Sequence, residues 1–319
     1  MKKLFALLLA VVTVFTLAAC GKKESKSNYP TQSIDLIIPF GQGAADTESR
    51  MYGQYLAEAL GTTVLGSNVT GGSGGVGMAK VAESKADGYT VGFASASIPL
   101  GMASGNISMT PADLQVVCTF NCDWIGLWVG KSSPFHTFQE FVDYCKAHPG
   151  ELNVGGTNVA SAHYTLYKTL CKEAGIDFNY VAFDGSAGEI QSIIGGTLDA
   201  AFLEPGYGGP YVESDGFRCL LVAKDERDAR YPDTVCTGEL GYKNASEIVM
   251  FRSLVAPKGL SDDVLAVLDK ATEAAFNSAD YQKYLSDNSI TPLYKNHTEA
   301  SEYFNNFYER AKTIFAEVN

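Results

Sequence analysis

A glycine-rich turn between an apolar run and a periodic segment is the pattern in this chain best suited to chemistry. Residues 34–39, Ile-Asp-Leu-Ile-Ile-Pro, have the length and composition of a strand. Phe40, Gly41, Gln42, Gly43, Ala44 and Ala45 then form a loop of small residues, and Asp46 opens a helical pattern that runs to Leu60. Small residues let the backbone approach a ligand closely, and the first N–H groups of a helix have no internal partner. Together they make a socket for an anion. Further small-residue turns stand at Ser95-Ala96-Ser97, at Gly155-Gly156-Thr157-Asn158 and at Asp184-Gly185-Ser186, each after a strand-like run.

Other chemistries fit less well. Gly72-Ser73-Gly74-Gly75-Val76-Gly77 satisfies the spacing of a dinucleotide loop, but residues 68–71 separate it from the preceding strand and no acidic residue follows at the required distance. A P-loop fails because Met78, not Lys, follows Gly77. Gly71-Gly72-Ser73-Gly74-Gly75 has the form of a nucleophile elbow, with His297 as the only late histidine, and keeps a serine hydrolase using Ser73 as a minor alternative. His136 and His148 flank a helix and read as solvated. His163 stands at a helix start, where it either donates to an anion or caps and packs.

Six cysteines follow Cys20: Cys118, Cys122, Cys145, Cys171, Cys219 and Cys236. Their spacing matches neither a zinc nor a redox motif, and no cofactor or metal is called for. Buried thiols with one or two bridges are expected, Cys219 with Cys236 being the candidate pair.

These turns need elements to hold them. Strand and helix patterns alternate: strands at 63–67, 89–94, 152–154, 180–183, 198–203 and 217–223, strand-like stretches within 116–129, and helices at 74–84, 137–148, 161–174, 187–194, 262–278, 279–288 and 298–317. This order predicts an α/β fold with largely parallel sheets, with ligands at the carboxyl ends of the strands. At 319 residues the chain is long enough for two domains. Its net charge of −12 argues against nucleic acid as a partner.

The N-terminus reads as a processing segment. Lys2 and Lys3 precede an apolar run over 4–17, too short to span a membrane comfortably, and Leu17-Ala18-Ala19-Cys20 fits a lipoprotein signal. Residues 1–19 would be removed, Cys20 acylated at its sulfur and its new N-terminus, and 20–28 left as a polar tether. The socket would then be displayed on the extracytoplasmic face of the cell membrane, placed to capture a solute.

Several stretches carry a family resemblance. Tyr29-Pro30 leading into the first strand, loop and Asp46, then Asn68 to Gly77, Asp87-Gly88-Tyr89-Thr90, Pro149 to Asn153, Ser161-Ala162-His163, Gly195 to Asp199, Tyr231 to Thr234 and Val255 to Gly259 follow one another in order. Over residues 29–319 the chain resembles the substrate-binding proteins of tripartite tricarboxylate transporters, the Bug family. The resemblance implies a two-lobed periplasmic-binding-protein fold of type II, a Venus flytrap, and no catalysis. It implies a small organic carboxylate in the interlobe cleft, delivered to a transporter with one large and one small membrane subunit. A receptor that feeds a sensor kinase is the alternative within binding proteins. One lobe would combine 29–121 with 253–319, and the other would be 122–252.

The resemblance places the ligand among Phe40, Gln42, Gly43, Ala44 and Asp46 of the first loop and Thr157, Asn158, Ser161 and His163 of the second. Ser95, Ser97, Asp184, Gly185 and Ser186 complete the site, and Glu204 stands beside it. The chain departs from the family pattern in three places. The first loop is one residue short and carries Gln42 and Ala44. Asp184 stands where Lys is frequent, and Glu204-Pro205 replaces a frequent Asp-Asn. Two carboxylates near the cleft would repel a highly charged tricarboxylate and suit a ligand with an amine or hydroxyls beside its carboxylate.

Overall fold

The computed structural model describes residues 28–318. The expected signal segment, Cys20 and the tether up to residue 27 lie outside the described residues. Two sheets organise the chain. The first holds β1 (Ile34–Ile38), β2 (Val64–Asn68), β3 (Thr90–Ser95), β4 (Leu114–Trp124), β10 (Val249–Pro257) and β11 (Pro292–Lys295) in the order β11-β4-β10-β3-β1-β2. The second holds β5 (Gly126–Val129), β6 (Asn153–Thr157), β7 (Asn179–Phe183), β8 (Ala200–Leu203) and β9 (Arg218–Val222) in the order β7-β6-β8-β5-β9.

Both sheets are mixed rather than largely parallel. β1 runs parallel to β2 and β3, and β6 runs parallel to β7 and β8. β10 is antiparallel to β3 and β4, and β5 is antiparallel to β8 and β9. The antiparallel strands are those at which the chain changes sheet. It leaves the first at Trp124, enters the second at Gly126, and rejoins the first at Val249.

Helices cover the sheets. They are α1 (Ala44–Leu60), α2 (Gly75–Ala82), α3 (Ser97–Ala103), α4 (Phe138–Ala147), α5 (Ala162–Ala174), α6 (Ser186–Ile194), α7 (Pro205–Gly208), α8 (Tyr211–Asp215), α9 (Lys243–Ser246), α10 (Asp262–Phe276), α11 (Ala279–Asp287) and α12 (His297–Val318). The alternation of β1 explains its two-sided burial. Ile34, Leu36 and Ile38 share a cluster with Tyr52 and Leu56 of α1, while Ile37 packs with Met78 and Val81 of α2. Tyr52 stacks on Phe120 of β4 with ring centroids 3.9 Å apart, which locks α1 onto the sheet. None of the helices among the described residues is long and apolar enough to cross a membrane.

Four local expectations change. α1 begins at Ala44, two residues before Asp46, because the Gly43 carbonyl already accepts the Thr47 N–H at 2.9 Å. Ser95-Ala96-Ser97 is the end of β3 joined to the start of α3 rather than a loop. Gly155, Gly156 and Thr157 belong to β6, not to a turn. Side chains crowd these glycines: a Cβ on Gly155 would lie 2.6 Å from Leu198 Cδ1, and one on Gly156 would overlap the Tyr180 ring. The expected Cys219–Cys236 bridge is absent, and all six described cysteines are free. Cys219 Sγ lies 3.3 Å from the Leu221 carbonyl and Cys236 Sγ lies 3.4 Å from that of Asp225, so the two thiols bond to different backbone groups.

The approach of α2 to β1 depends on one missing side chain. A Cβ on Gly77 would lie 2.7 Å from the Val69 carbonyl oxygen and 2.9 Å from Pro39 Cα, both backbone atoms that cannot step aside. Gly77→Ala is expected to cost about 1–3 kcal/mol, read as a lowered urea midpoint with an unchanged slope. Gly41→Ala is the control, since a Cβ there meets nothing within 4 Å, and its midpoint should stay at the wild-type value.

Candidate functional site

One cavity is lined by strand ends and helix starts from both lobes. From the first lobe it is lined by Phe40, Gly41, Gly43 and Ala45 at the start of α1, by Ser95 and Ser97 at the start of α3, and by Met250 and Arg252 of β10. From the second it is lined by Thr157 and Asn158 at the end of β6, by Asp184, Gly185 and Ser186 at the start of α6, and by Glu204. An outer cavity adjoins it, shares Phe40, Gly41, Asn158 and Asp184, and adds Gln42 and Ser73.

The backbone at these helix starts is preorganised as a donor set. Gly43 and Gly185 are the N-caps of α1 and α6, and neither supplies a side-chain cap. The first N–H groups of both helices are therefore without a capping partner from those residues. Gly43 has φ 155° and ψ −157°, a conformation essentially reserved for glycine. The first loop is pinned from outside the cavity. Asn68 Nδ2 donates to the Phe40 carbonyl at 2.9 Å and to Asp46 Oδ1 at 2.8 Å, and Arg50 donates to both Asp46 and Asn68. Asp46 thus holds the loop and lines neither cavity.

Ser161, which also lines neither cavity, caps α5 by accepting the Tyr164 N–H at 3.2 Å. Ser97 Oγ accepts the Ala162 N–H at 3.4 Å and so ties α3 to α5 across the lobes. Ala44 opens α1.

Beneath the cavity runs a buried polar chain. Arg252 is 4% exposed, Glu48 5%, Glu204 4% and His163 1%. Arg252 Nε donates to Glu48 Oε2 at 3.0 Å, and Arg252 Nη2 donates to Glu204 Oε1 at 3.4 Å. Tyr207 and Asn121 also donate to Glu48, at 2.8 and 3.3 Å. Glu204 Oε2 lies 3.5 Å from His163 Nε2, and His163 Nδ1 accepts the Thr157 N–H at 3.2 Å. Burial works against the charge on Glu204, but His163 and Arg252 outweigh it and hold its carboxyl down at about 2. Burial opposes the imidazolium, and Glu204 outweighs burial to raise the pKa of His163. The Thr157 amide works against a second proton on that ring, because an imidazolium has no acceptor to offer it.

Arg252, Glu48 and Met250 escaped the sequence reading. A signal exists, since Arg252 is the single charged residue within the apolar run 248–257. A lone arginine in such a run has to find buried carboxylates. Ser73 has no catalytic setting. Histidine lines neither cavity, and His297 Nδ1 instead pairs with Asp269 Oδ2 at 2.5 Å at the start of α12.

Glu189 on α6 is fully buried, and neither carboxyl oxygen has a hydrogen-bond partner among the described residues. Burial pushes its pKa up to about 8, with His163 opposing. Between the ordinary carboxyl value of 4.5 and about 8 the folded state therefore binds a proton that the unfolded chain releases. Stability from this group is present below that window and is lost as pH rises through it. Glu189→Gln should flatten the fall in stability between pH 5 and pH 8, with a gain of about 1–3 kcal/mol at pH 8 relative to pH 5. Urea titrations of both proteins at the two pH values measure it, and parallel pH slopes would refute it.

The chain matches the Tripartite tricarboxylate transporter family receptor over residues 49–319. The UPF0065 protein in the gbd 5′ region of Cupriavidus necator is 27% identical over 308 residues, covering 96% of this chain and 93% of that protein. Among solved structures, MatC from Rhodopseudomonas palustris with bound malate has a TM-score of 0.80 at 21% identity, covering 90% of this chain and 99% of that one. An R. palustris protein with adipate has a TM-score of 0.81 at 21% identity, covering 91% and 98%. These structures share the fold, and the sequence match covers both lobes and the cleft between them. The chain belongs to the tripartite tricarboxylate transporter receptor family, as a two-lobed solute-binding protein of the Bug group and not an enzyme.

Proposed function

We propose that this receptor captures a small organic carboxylate between its lobes and delivers it to a secondary transporter with one large and one small membrane subunit. One observation carries the reading. The starts of α1 and α3 from one lobe and of α6 from the other, with the end of β6, converge on a single cavity. Helix N-termini aimed at one point stabilise an anion without requiring a free cation. Relatives of the same fold hold malate and adipate, which supports a carboxylate as the ligand. Because both lobes contribute contacts, a bound ligand favours the closed arrangement over the open one.

The receptor acts at the extracytoplasmic face of the membrane, held by lipid on Cys20. The support is the sequence Leu17-Ala18-Ala19-Cys20 after a basic and then apolar segment. Acyl chains at two places supply stable anchoring, so no transmembrane helix is needed.

Two measurements test these claims. A thermal-shift screen of the full chain in detergent, against carboxylates and neutral solutes, should give a carboxylate hit. A ligand at about 100 times its Kd stabilises by about 2.7 kcal/mol. Stabilisation by neutral solutes alone would overturn the carboxylate reading. Separately, Cys20→Ser should move the protein from the membrane fraction to the soluble fraction of expressing cells. Retention of the variant in the membrane would overturn lipid anchoring.

A further inference from the structure

The buried polar chain under the cavity is one link between the lobes. A second link lies where the chain first crosses between the sheets, and water reaches it. Asp228, in the loop after β9, accepts the Trp124 indole N–H at 2.6 Å, which fixes that loop on the crossing. Arg230 Nε and Nη2 donate to Asp228 at 2.8 and 3.0 Å, and the guanidinium lies 5.6 Å from the centre of the Trp124 ring. From there Arg230 reaches out of the second lobe. Its Nη1 donates to the Ser289 carbonyl and its Nη2 to Thr291 Oγ1 at 3.4 Å, in the turn that leads from α11 to β11 of the first sheet.

Each half of this contact is built without the other. Ser289 follows α11 at φ 54°, and the Ile290 N–H closes on the Leu285 carbonyl at 2.8 Å, so the helix end itself aims the Ser289 carbonyl. Thr291 is tied to β4. Its N–H donates to Asp123 Oδ1 at 3.0 Å, and its carbonyl accepts the Cys122 N–H at 3.2 Å. On the other side Asp228 keeps Arg230 in place. Parting the two halves leaves no group dry. The Arg230 side chain is 32% exposed, Ser289 is half-buried and Thr291 is exposed, so water takes over the lost bonds. Arg252, buried between Glu48 and Glu204, has no such freedom.

We propose that Arg230 is a latch between the lobes: its bonds to Ser289 and Thr291 hold the closed arrangement and are released when the lobes part. The inference rests on the receptor reading, in which the lobes close on a ligand. The contact stands together with the Ser97–Ala162 bond across the lobes, so it favours closure and not opening. The approach of α7 to the same turn is equally close. A Cβ on Gly206 would lie 2.4 Å from the Asn288 carbonyl oxygen, a backbone atom. Neither Arg230 nor Gly206 lines the inner or the outer cavity. Arg230 is thus a positioning residue. It sets the fraction of receptor that is closed, and with it the apparent affinity for any ligand that contacts both lobes.

Hydrogen exchange of the full chain in detergent, without ligand, tests the latch. The Ala162 amide reports the cleft, because its bond to Ser97 Oγ crosses the lobes. Amides within β1 and β6 report the two sheets. Arg230→Ala should speed exchange at Ala162 by about threefold to tenfold and leave β1 and β6 at their wild-type rates. Gly206→Ala, which keeps Arg230 and wedges α7 off the Asn288 carbonyl, should act in the same direction. Wild-type exchange at Ala162 in Arg230→Ala overturns the latch. An equal rise in β1 and β6 also overturns it, since Arg230 would then serve folding alone. If Arg230→Ala does not fold by circular dichroism, Gly206→Ala decides by the same comparison. No ligand enters the measurement, so a failed latch leaves the carboxylate reading standing, and only the thermal-shift screen can overturn that reading.

Discussion

A guanidinium held out of water between carboxylates from both lobes is the constraint that the site depends on. Arg252 leaves β10 of the first sheet, Glu48 comes from α1, the helix that follows the first loop, and Glu204 follows a strand of the second sheet. Each contact positions something else. Glu48 ties α1 to β10 and, through Tyr207, to α7 of the other lobe. Glu204 faces His163, and His163 receives the amide of Thr157 at the end of β6. The loop before α1 and the end of β6, which both line the cavity, are thus joined beneath it by one polar chain. Such a chain is a poor source of stability. Its desolvation cancels much of its attraction, and an apolar floor of the same shape would hold the lobes as well. Removing one partner, however, leaves a buried charge alone, at a cost of about 3–5 kcal/mol. The chain is explained better by the cavity above it than by the fold around it.

The upper part of the site works by a different device. Glycine at positions 43 and 185 leaves helix-start N–H groups uncovered, and Asn68, Asp46 and Arg50 hold the first loop still from behind. Donors fixed before the ligand arrives lose little entropy when it binds. The split is physical. Backbone N–H groups at helix starts suit an anion of any kind, whereas the floor is built of buried, paired side-chain charges.

How far this arrangement could be read from the sequence depends on the distance over which each residue finds its partners. Local signals were legible. The strand Ile34–Ile38 shows in its apolar run, and α4 shows in its amphipathic pattern and the Pro149-Gly150 that closes it. Ser95, Ser97, Asn158 and Ser186 could be placed at the cavity because each stands at a strand end or helix start. Long-range partners were hidden. Glu48 and Arg252 are 204 residues apart, and only the pairing of β10 with β3 and β4 brings Arg252 under the loop. Gly155 and Gly156 read as a turn because the demands of Leu198 and Tyr180 on them are tertiary. Cys219 and Cys236 read as a bridge because nothing in their spacing shows the carbonyls that occupy them.

The same distinction bears on how such a receptor could change its ligand. The pins of the first loop touch neither the floor nor its charges, so the anion socket persists when the floor is altered. The floor cannot be altered one residue at a time. Replacing Arg252 alone takes from Glu48 and Glu204 the cation they share, and replacing Glu48 alone takes from Arg252 and Tyr207 their shared acceptor. A change in the charge lining the cavity has to move through Glu48, Arg252 and Glu204 together, or through Asp184, whose carboxylate is exposed and stands outside the chain. Asp184 is therefore the position where a charge can be added, removed or reversed at little cost to folding, and the buried trio is the part that resists.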